Sequence, residues 1–280
     1  MRSAHTPRFS SAGKLFFSLM AAATVAACGG GGSAGSPAVD KSTASVPSAP
    51  VPPTDNGPSA EGIWQGSMSL GWDTTAFVLP TGQSYFIFSL KGVVQDMVAG
   101  YGTSRVGSFT STDALDFSPL PLRRTSVNIS GTYSVGQSFN GTMTKTAGEF
   151  SHTDTFATTY QPLYASTPVL SALSGAYKGS AALRSGTGAV TASLDAGGLI
   201  SGTLTLPSGT CAVTGSVAVA GNGKAILNAK VALAGASCPL DGGYTEGAAA
   251  VLTDASGSTL YLATLLQDKS DGVVVLATKQ

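Results

Sequence analysis

Charge is scarce in this chain: Asp, Glu, Lys and Arg make up 11% of its 280 residues, and 15 basic residues balance 15 acidic ones. With no basic excess, no nucleic-acid partner is expected, because neutralising phosphates takes clustered Lys and Arg. Histidine is scarcer still, at two residues, which leaves few candidates for acid–base chemistry near neutral pH. There are three cysteines, Cys28, Cys211 and Cys238; no third or fourth ligand accompanies the last two, so no metal site is expected. No apolar run reaches the ~20 residues of a spanning helix. The Gly-rich segments lack the Lys-Ser/Thr ending of a phosphate loop, and no nucleophile elbow is present. No cofactor and no enzymatic activity are therefore expected. What the chain has is glycine, 36 residues of it, with abundant Ser and Thr, a composition for short strands and tight turns rather than helices.

The N-terminus carries Arg2, Arg8 and Lys14, followed by an uncharged run from Leu15 to Ala27 that small residues close. This is the pattern of an export signal. The stretch Val25-Ala26-Ala27-Cys28-Gly29 resembles the cleavage box of a bacterial lipoprotein: an aliphatic residue, two small ones, then the cysteine that is acylated. The resemblance implies cleavage before Cys28 and lipidation, including palmitate, on Cys28. Gly29 stands where the family's inner-membrane retention signal is Asp, which implies outer-membrane delivery in a Gram-negative bacterium, facing the periplasm or the cell surface. An ordinary secretory signal with Cys28 incidental is the alternative. Two or more acyl chains anchor stably where one anchors marginally. Loss of residues 1–27 takes three basic residues away, leaving 12 against 15 acidic and a net charge of −3.

Residues 28–60 are Gly, Ser, Ala and Pro with almost no large apolar side chain, a flexible tether that stiffens toward its Pro-rich end. A first module is expected over 61–165 and a second over 175–280. A repeat marks them: Gly62-Ile63-Trp64-Gln65-Gly66-Ser67 has a near copy in Gly175-Ala176-Tyr177-Lys178-Gly179-Ser180, 113 residues on, each preceding a series of short strands. In the first module strands are expected near 63–70, 74–79, 83–90, 93–101, 105–110, 125–134, 138–145 and 150–160. In the second they fall near 176–183, 189–194, 199–206, 210–220, 224–234, 244–252, 259–266 and 273–277. Runs such as Val127-Asn128-Ile129-Ser130 alternate residue by residue, so one face is expected to be buried and the other wet. Between the modules, residues 166–174 read as a short connecting helix, with Thr before Pro168 and Leu170 and Leu173 on one face. About eight strands per module and short up-and-down connections predict an all-β chain of two tandem antiparallel barrels, closure being the economical way to remove sheet edges. A two-sheet sandwich is the alternative.

Cys211 and Cys238 flank a hairpin that turns at Gly221-Asn222-Gly223. In an oxidising compartment a disulfide is expected, the alternative being two buried thiols. His152 and Asp154 lie two apart in a strand and can touch, but a polar outer face is expected rather than catalysis. Asp113 with Asp116, and Asp268 with Asp271, read as solvated turn residues. Trp64 is expected to plug the core, matched by Tyr177, whereas Trp72 is either an exposed binding anchor or a lid on its own barrel rim.

Taken together, the lipobox, the Gly-rich tether, the Gly-aromatic-Gly starts, the Cys pair and Gly243-Tyr244-Thr245 resemble a group of proteobacterial lipoproteins of unassigned function. Module size and strand count are also similar to the barrel lobes of transferrin-binding-protein-like surface lipoproteins, an analogy at the level of fold. The implied function is a non-enzymatic binding or structural role at the cell envelope, with the membrane as one partner, through the lipid, and an envelope or surface protein as another. The alternatives are a carrier that encloses a small apolar ligand in a barrel and a membrane-embedded barrel.

Overall fold

The computed structural model describes residues 58–119, 125–240 and 242–280. The tether and the signal, with Cys28, lie outside them except for the last tether residues, Pro58–Ala60. The fold is two closed antiparallel barrels in tandem. The first contains β1 (Gly62–Met68), β2 (Asp73–Val78), β3 (Gln83–Leu90), β4 (Val93–Tyr101), β5 (Thr103–Arg105), β6 (Ser108–Asp116), β7 (Thr125–Ser134), β8 (Ser138–Ala147) and β9 (Phe150–Tyr160). Neighbours pair in the order β4-β3-β2-β1-β9-β8-β7-β6-β5, and β4 meets β6 through Val98 opposite Asp116 and Ala99 opposite Leu115, which closes the ring of eight and leaves β5 as a side flap. The single strand expected at 105–110 is thus two, hinged at Val106-Gly107. Both of these residues have positive φ, 47° and 78°, as a two-residue hairpin turn of this hand requires.

A 3-10 turn, Pro162–Ala165, and the one-turn helix α1, Leu170–Leu173, lead into the second barrel. It comprises β10 (Gly175–Leu183), β11 (Gly186–Leu194), β12 (Leu199–Leu206), β13 (Gly209–Val219), β14 (Leu227–Ala234), β15 (Tyr244–Asp254), β16 (Gly257–Leu265) and β17 (Gly272–Lys279), each paired with the next and β17 with β10.

The repeated Gly-x-aromatic-x-Gly segment opens both barrels, and its chemistry is the same in each. Trp64 Nε1 donates to the Ala60 carbonyl at 2.9 Å and Tyr177 Oη to the Leu173 carbonyl at 2.5 Å, each reaching back four residues from a buried ring. The second glycine sits where first and last strands meet. A Cβ on Gly66 would lie 1.9 Å from the Ala157 carbonyl oxygen, and one on Gly179 2.0 Å from that of Leu276. Any side chain there would push the closing strands apart.

Both interiors are filled. The first packs Trp64, Phe86, Phe109, Phe139 and Phe156 in edge-to-face and tilted contacts, with centroid separations of 5.1 to 6.0 Å for the pairs Phe139 makes. The second is aliphatic, with Leu194, Leu204, Val213, Val231 and Leu260 among its residues, and leaves a void of about 30 Å³. That is the room of about one water, too little for the small apolar ligand of the carrier alternative. Polarity is also the reverse of a membrane barrel. On β12 the inward Ile200, Leu204 and Leu206 are buried while Ser201, Thr203 and Thr205 are exposed, whereas a membrane barrel faces its apolar side outward.

The expectation of a wet outer face fails where the barrels meet. Phe77, Tyr85, Ile87 and Met97 on the outside of β2–β4 pack against Ala248, Ala250, Ala263 and Val274 on the outside of β15–β17. This explains the wholly apolar Tyr85-Phe86-Ile87-Phe88: Phe86 and Phe88 point into the barrel, Tyr85 and Ile87 into its neighbour. Large side chains on one barrel meet alanines on the other, and Val94 N–H donates to Ser180 Oγ across the seam at 2.9 Å.

Candidate functional site

With both interiors closed, a ligand must be held on the outside. Where the packed seam ends, the barrels diverge and leave a cleft of about 600 Å³, within the range of roughly 300–1,000 Å³ typical of small-molecule sites. One wall is the outer face of β13–β15, where Lys230 pairs with Glu246 at 3.2 Å and lies 3.6 Å from the Tyr244 ring centroid. The opposing wall is the first barrel, through Gln83 and Tyr101. At the floor, Gln83 Nε2 donates to Tyr85 Oη at 2.6 Å. Tyr85 itself is fully buried, and burial pushes its phenol well above the ordinary tyrosine value. It stays protonated, and its hydroxyl holds the Gln83 amide in place beneath the cleft.

Lys269, in the loop between β16 and β17, reaches from the second barrel to the first, with Nζ 4.9 Å from the centroid of the Tyr101 ring. Its backbone has φ 54°, a left-handed conformation that suits Gly or Asn better than Lys. The loop holds this strain while keeping a cation at the mouth of the cleft. Tyr101 and Tyr244 are 46% and 51% exposed, so each ring retains surface toward solvent.

A second polar cluster is shut inside the first barrel, at one end. Lys145 Nζ lies 2.5 Å from Asp96 Oδ2 and 2.9 Å from Asp116 Oδ2. The carboxylates are 2% and 9% exposed. Asp96 also accepts from Met97 N–H at 2.6 Å, and Asp116 from Ser118 N–H at 2.7 Å. Burial first, then repulsion from Asp116, raises the Asp96 carboxyl to about 7, against the pull of Lys145. Burial alone would lower the ammonium of Lys145, but the two aspartates outweigh it and the net shift is upward. Two acids and one cation, walled off from substrate, make a structural knot rather than a reactive centre. Asp116 is therefore corrected from a solvated turn residue to a buried one at the end of β6, and Asp113, also in β6, accepts from Tyr101 N–H at 2.8 Å. Asp268 does cap its own turn, accepting from Ser270, while Asp271 is partly buried and receives Arg184 N–H and Gly272 N–H.

His152 and Asp154 do touch, Nε2 to Oδ1 at 3.1 Å, yet not on an outer face. Asp154 is buried on the inward side of β9, and the exposed His152 stands at the rim. Ser69 Oγ donates to the same Asp154 oxygen at 3.1 Å and accepts from Thr155 N–H. A hydrolase relay needs the imidazole between serine and carboxylate. Here the carboxylate is in the middle, so the trio ties the β1–β2 turn to β9. Trp72 is half-buried against the interior of its own barrel, which makes it a rim lid. Cys211 and Cys238 form a disulfide with Cα atoms 5.6 Å apart, at the open end of the β13–β14 hairpin. Among the described residues no group of three or more His, Cys, Asp or Glu is placed to hold a metal ion.

The class defined here is a twin-barrel protein with a polar, tyrosine-flanked cleft between its lobes. No family model and no curated protein matches the chain. Among solved structures, a "putative outer membrane protein" from Bacteroides fragilis NCTC 9343 is similar over 79% of this chain and 96% of its own, at 12% identity and a TM-score of 0.25. So loose a superposition carries no functional argument, and the fold stands on the strand pairing above.

Proposed function

We propose that the protein is a lipid-anchored component of the cell envelope, held in the outer membrane through Cys28, and that it acts without catalysis by binding on the outside of its barrels. The observation that carries this reading is Val25-Ala26-Ala27-Cys28 after an uncharged run and a basic start, followed by a tether that sets the folded body off from the lipid. Filled interiors support binding over transport, and the order Ser69–Asp154–His152, with the carboxylate in the middle, supports binding over turnover. The test is expression of the full chain in a Gram-negative host fed an alkyne-bearing palmitate. The wild-type chain is expected to take the label and sediment with outer membrane, and Cys28→Ser to do neither. An unlabelled wild type, or equal sedimentation of the two, would overturn the proposal.

A further inference from the structure

We infer that the cleft between the barrels is an oligosaccharide-binding site. The inference deepens the reading of the protein as a binder and is independent of the lipid anchor. Sugar hydroxyls both donate and accept, and a site for them needs side chains that do the same. The cleft supplies three amides, Gln83, Asn228 and Gln267, the first of them held in place by the buried Tyr85 hydroxyl beneath it. Sugars also present apolar C–H faces, which pack on aromatic rings, and Tyr101 and Tyr244 both line the cleft, one from each barrel, about half exposed.

Other ligand classes fit less well. Lys230 pairs with Glu246 at 3.2 Å, and with Lys269 the lining carries two cations against that carboxylate, not the cluster a nucleic acid or polyphosphate would need. An apolar ligand would find a wall of amides, phenols and charged groups. A peptide adding itself as a strand needs an unpaired sheet edge, and β13, β14 and β15 are paired on both sides. The tight contact of the barrels beside the cleft fixes its width, since Gly247 leaves no room for a side chain between the Ala263 carbonyl and Tyr85 Oη. A preformed cleft loses little freedom on binding, which favours a weakly held, hydroxyl-rich ligand.

The experiment uses the full chain purified in detergent, screened on an array of neutral and uronate-containing tetrasaccharides, with hits titrated by calorimetry. At least one sugar is expected to bind at millimolar concentration or below. Tyr244→Ala and Asn228→Ala, both at exposed positions, are expected to weaken it by about tenfold or more, equivalent to the loss of a stacking or hydrogen-bonding contact, with unchanged melting temperatures. A chain that binds none of the sugars at millimolar concentration overturns the inference, as does binding that survives both substitutions at full strength. Neither result bears on palmitate labelling of Cys28, so the two readings fail separately.

Discussion

The residue with most to say about pH is Asp96. Its carboxyl is buried beside Asp116 and titrates at about 7, whereas its ordinary value is 3.8. A carboxyl raised on folding binds its proton more tightly in the native state, so its contribution to stability is fully present below about pH 4 and is lost as pH rises toward 7. Lys145 is raised as well, and its contribution is present at neutral pH and lost only in the alkaline range. Wild-type protein is therefore expected to fall in melting temperature between pH 4.5 and pH 7.5 by several degrees, at about 2–4 °C per kcal/mol for a chain of this size. Asp96→Asn keeps an acceptor for Met97 N–H and leaves one acid for one cation. It should flatten that slope and match or exceed the wild type at pH 7.5. A variant with the wild-type slope would show that Asp96 is not the titrating group.

At the scale of elements, the disulfide staples the β13–β14 hairpin where its strands have already parted: Ala212 opposite Ala234 is the last paired position, and Cys238 returns four residues later. Closing a loop with a separation of 27 residues stabilises by about 3.5 kcal/mol in the chain-entropy model. Reduction, or Cys211→Ser with Cys238→Ser, should lower the melting temperature by about 7–14 °C without unpairing β10–β17. Thermal melts in the presence and absence of reductant measure it. Strands and hairpins of this kind were legible because alternation and turn residues are local signals: β3, β4, β7, β9 and β12 begin and end at the residues the pattern marks. The stretch 103–116 was not, because Val106-Gly107 makes a two-residue turn with Val where Asn is usual, and because Asp113 and Asp116 look like loop residues until Tyr101 N–H and Lys145 are brought beside them from other strands. The cleft was illegible for the same reason. Gln83 and Lys269 line one cleft only after two barrels have closed and packed.

On the whole molecule, the decisive feature is the seam between the barrels, which turns two modules into one unit. Its second half is written in alanine: Ala248 and Ala250 on β15 and Ala263 on β16 are fully buried, yet nothing in Gly247-Ala248-Ala249-Ala250 distinguishes a surface that meets another barrel from a bland one. The large partners, Phe77, Ile87 and Met97, supply the apolar area. Removing such side chains from water contributes about 1.5–3 kcal/mol each relative to exposure, an upper range because part of that surface is hidden in the unfolded chain too. Coupling of that size predicts that the barrels unfold together, in a single calorimetric transition. Ala250→Asp tests this, because its side chain faces the seam and not the interior of its own barrel. In a separated second barrel the new carboxylate would be solvated and nearly harmless, whereas in the seam it is an unpaired buried charge costing about 3–5 kcal/mol. The cheapest escape is for the barrels to part. The expected result is two transitions in place of one, with new protease cleavage in the connector at residues 161–174 and loss of the cleft, which only the packed pair creates. A single transition lowered as a whole would mean that the seam holds even against a buried charge, and that the barrels are not separable folding units.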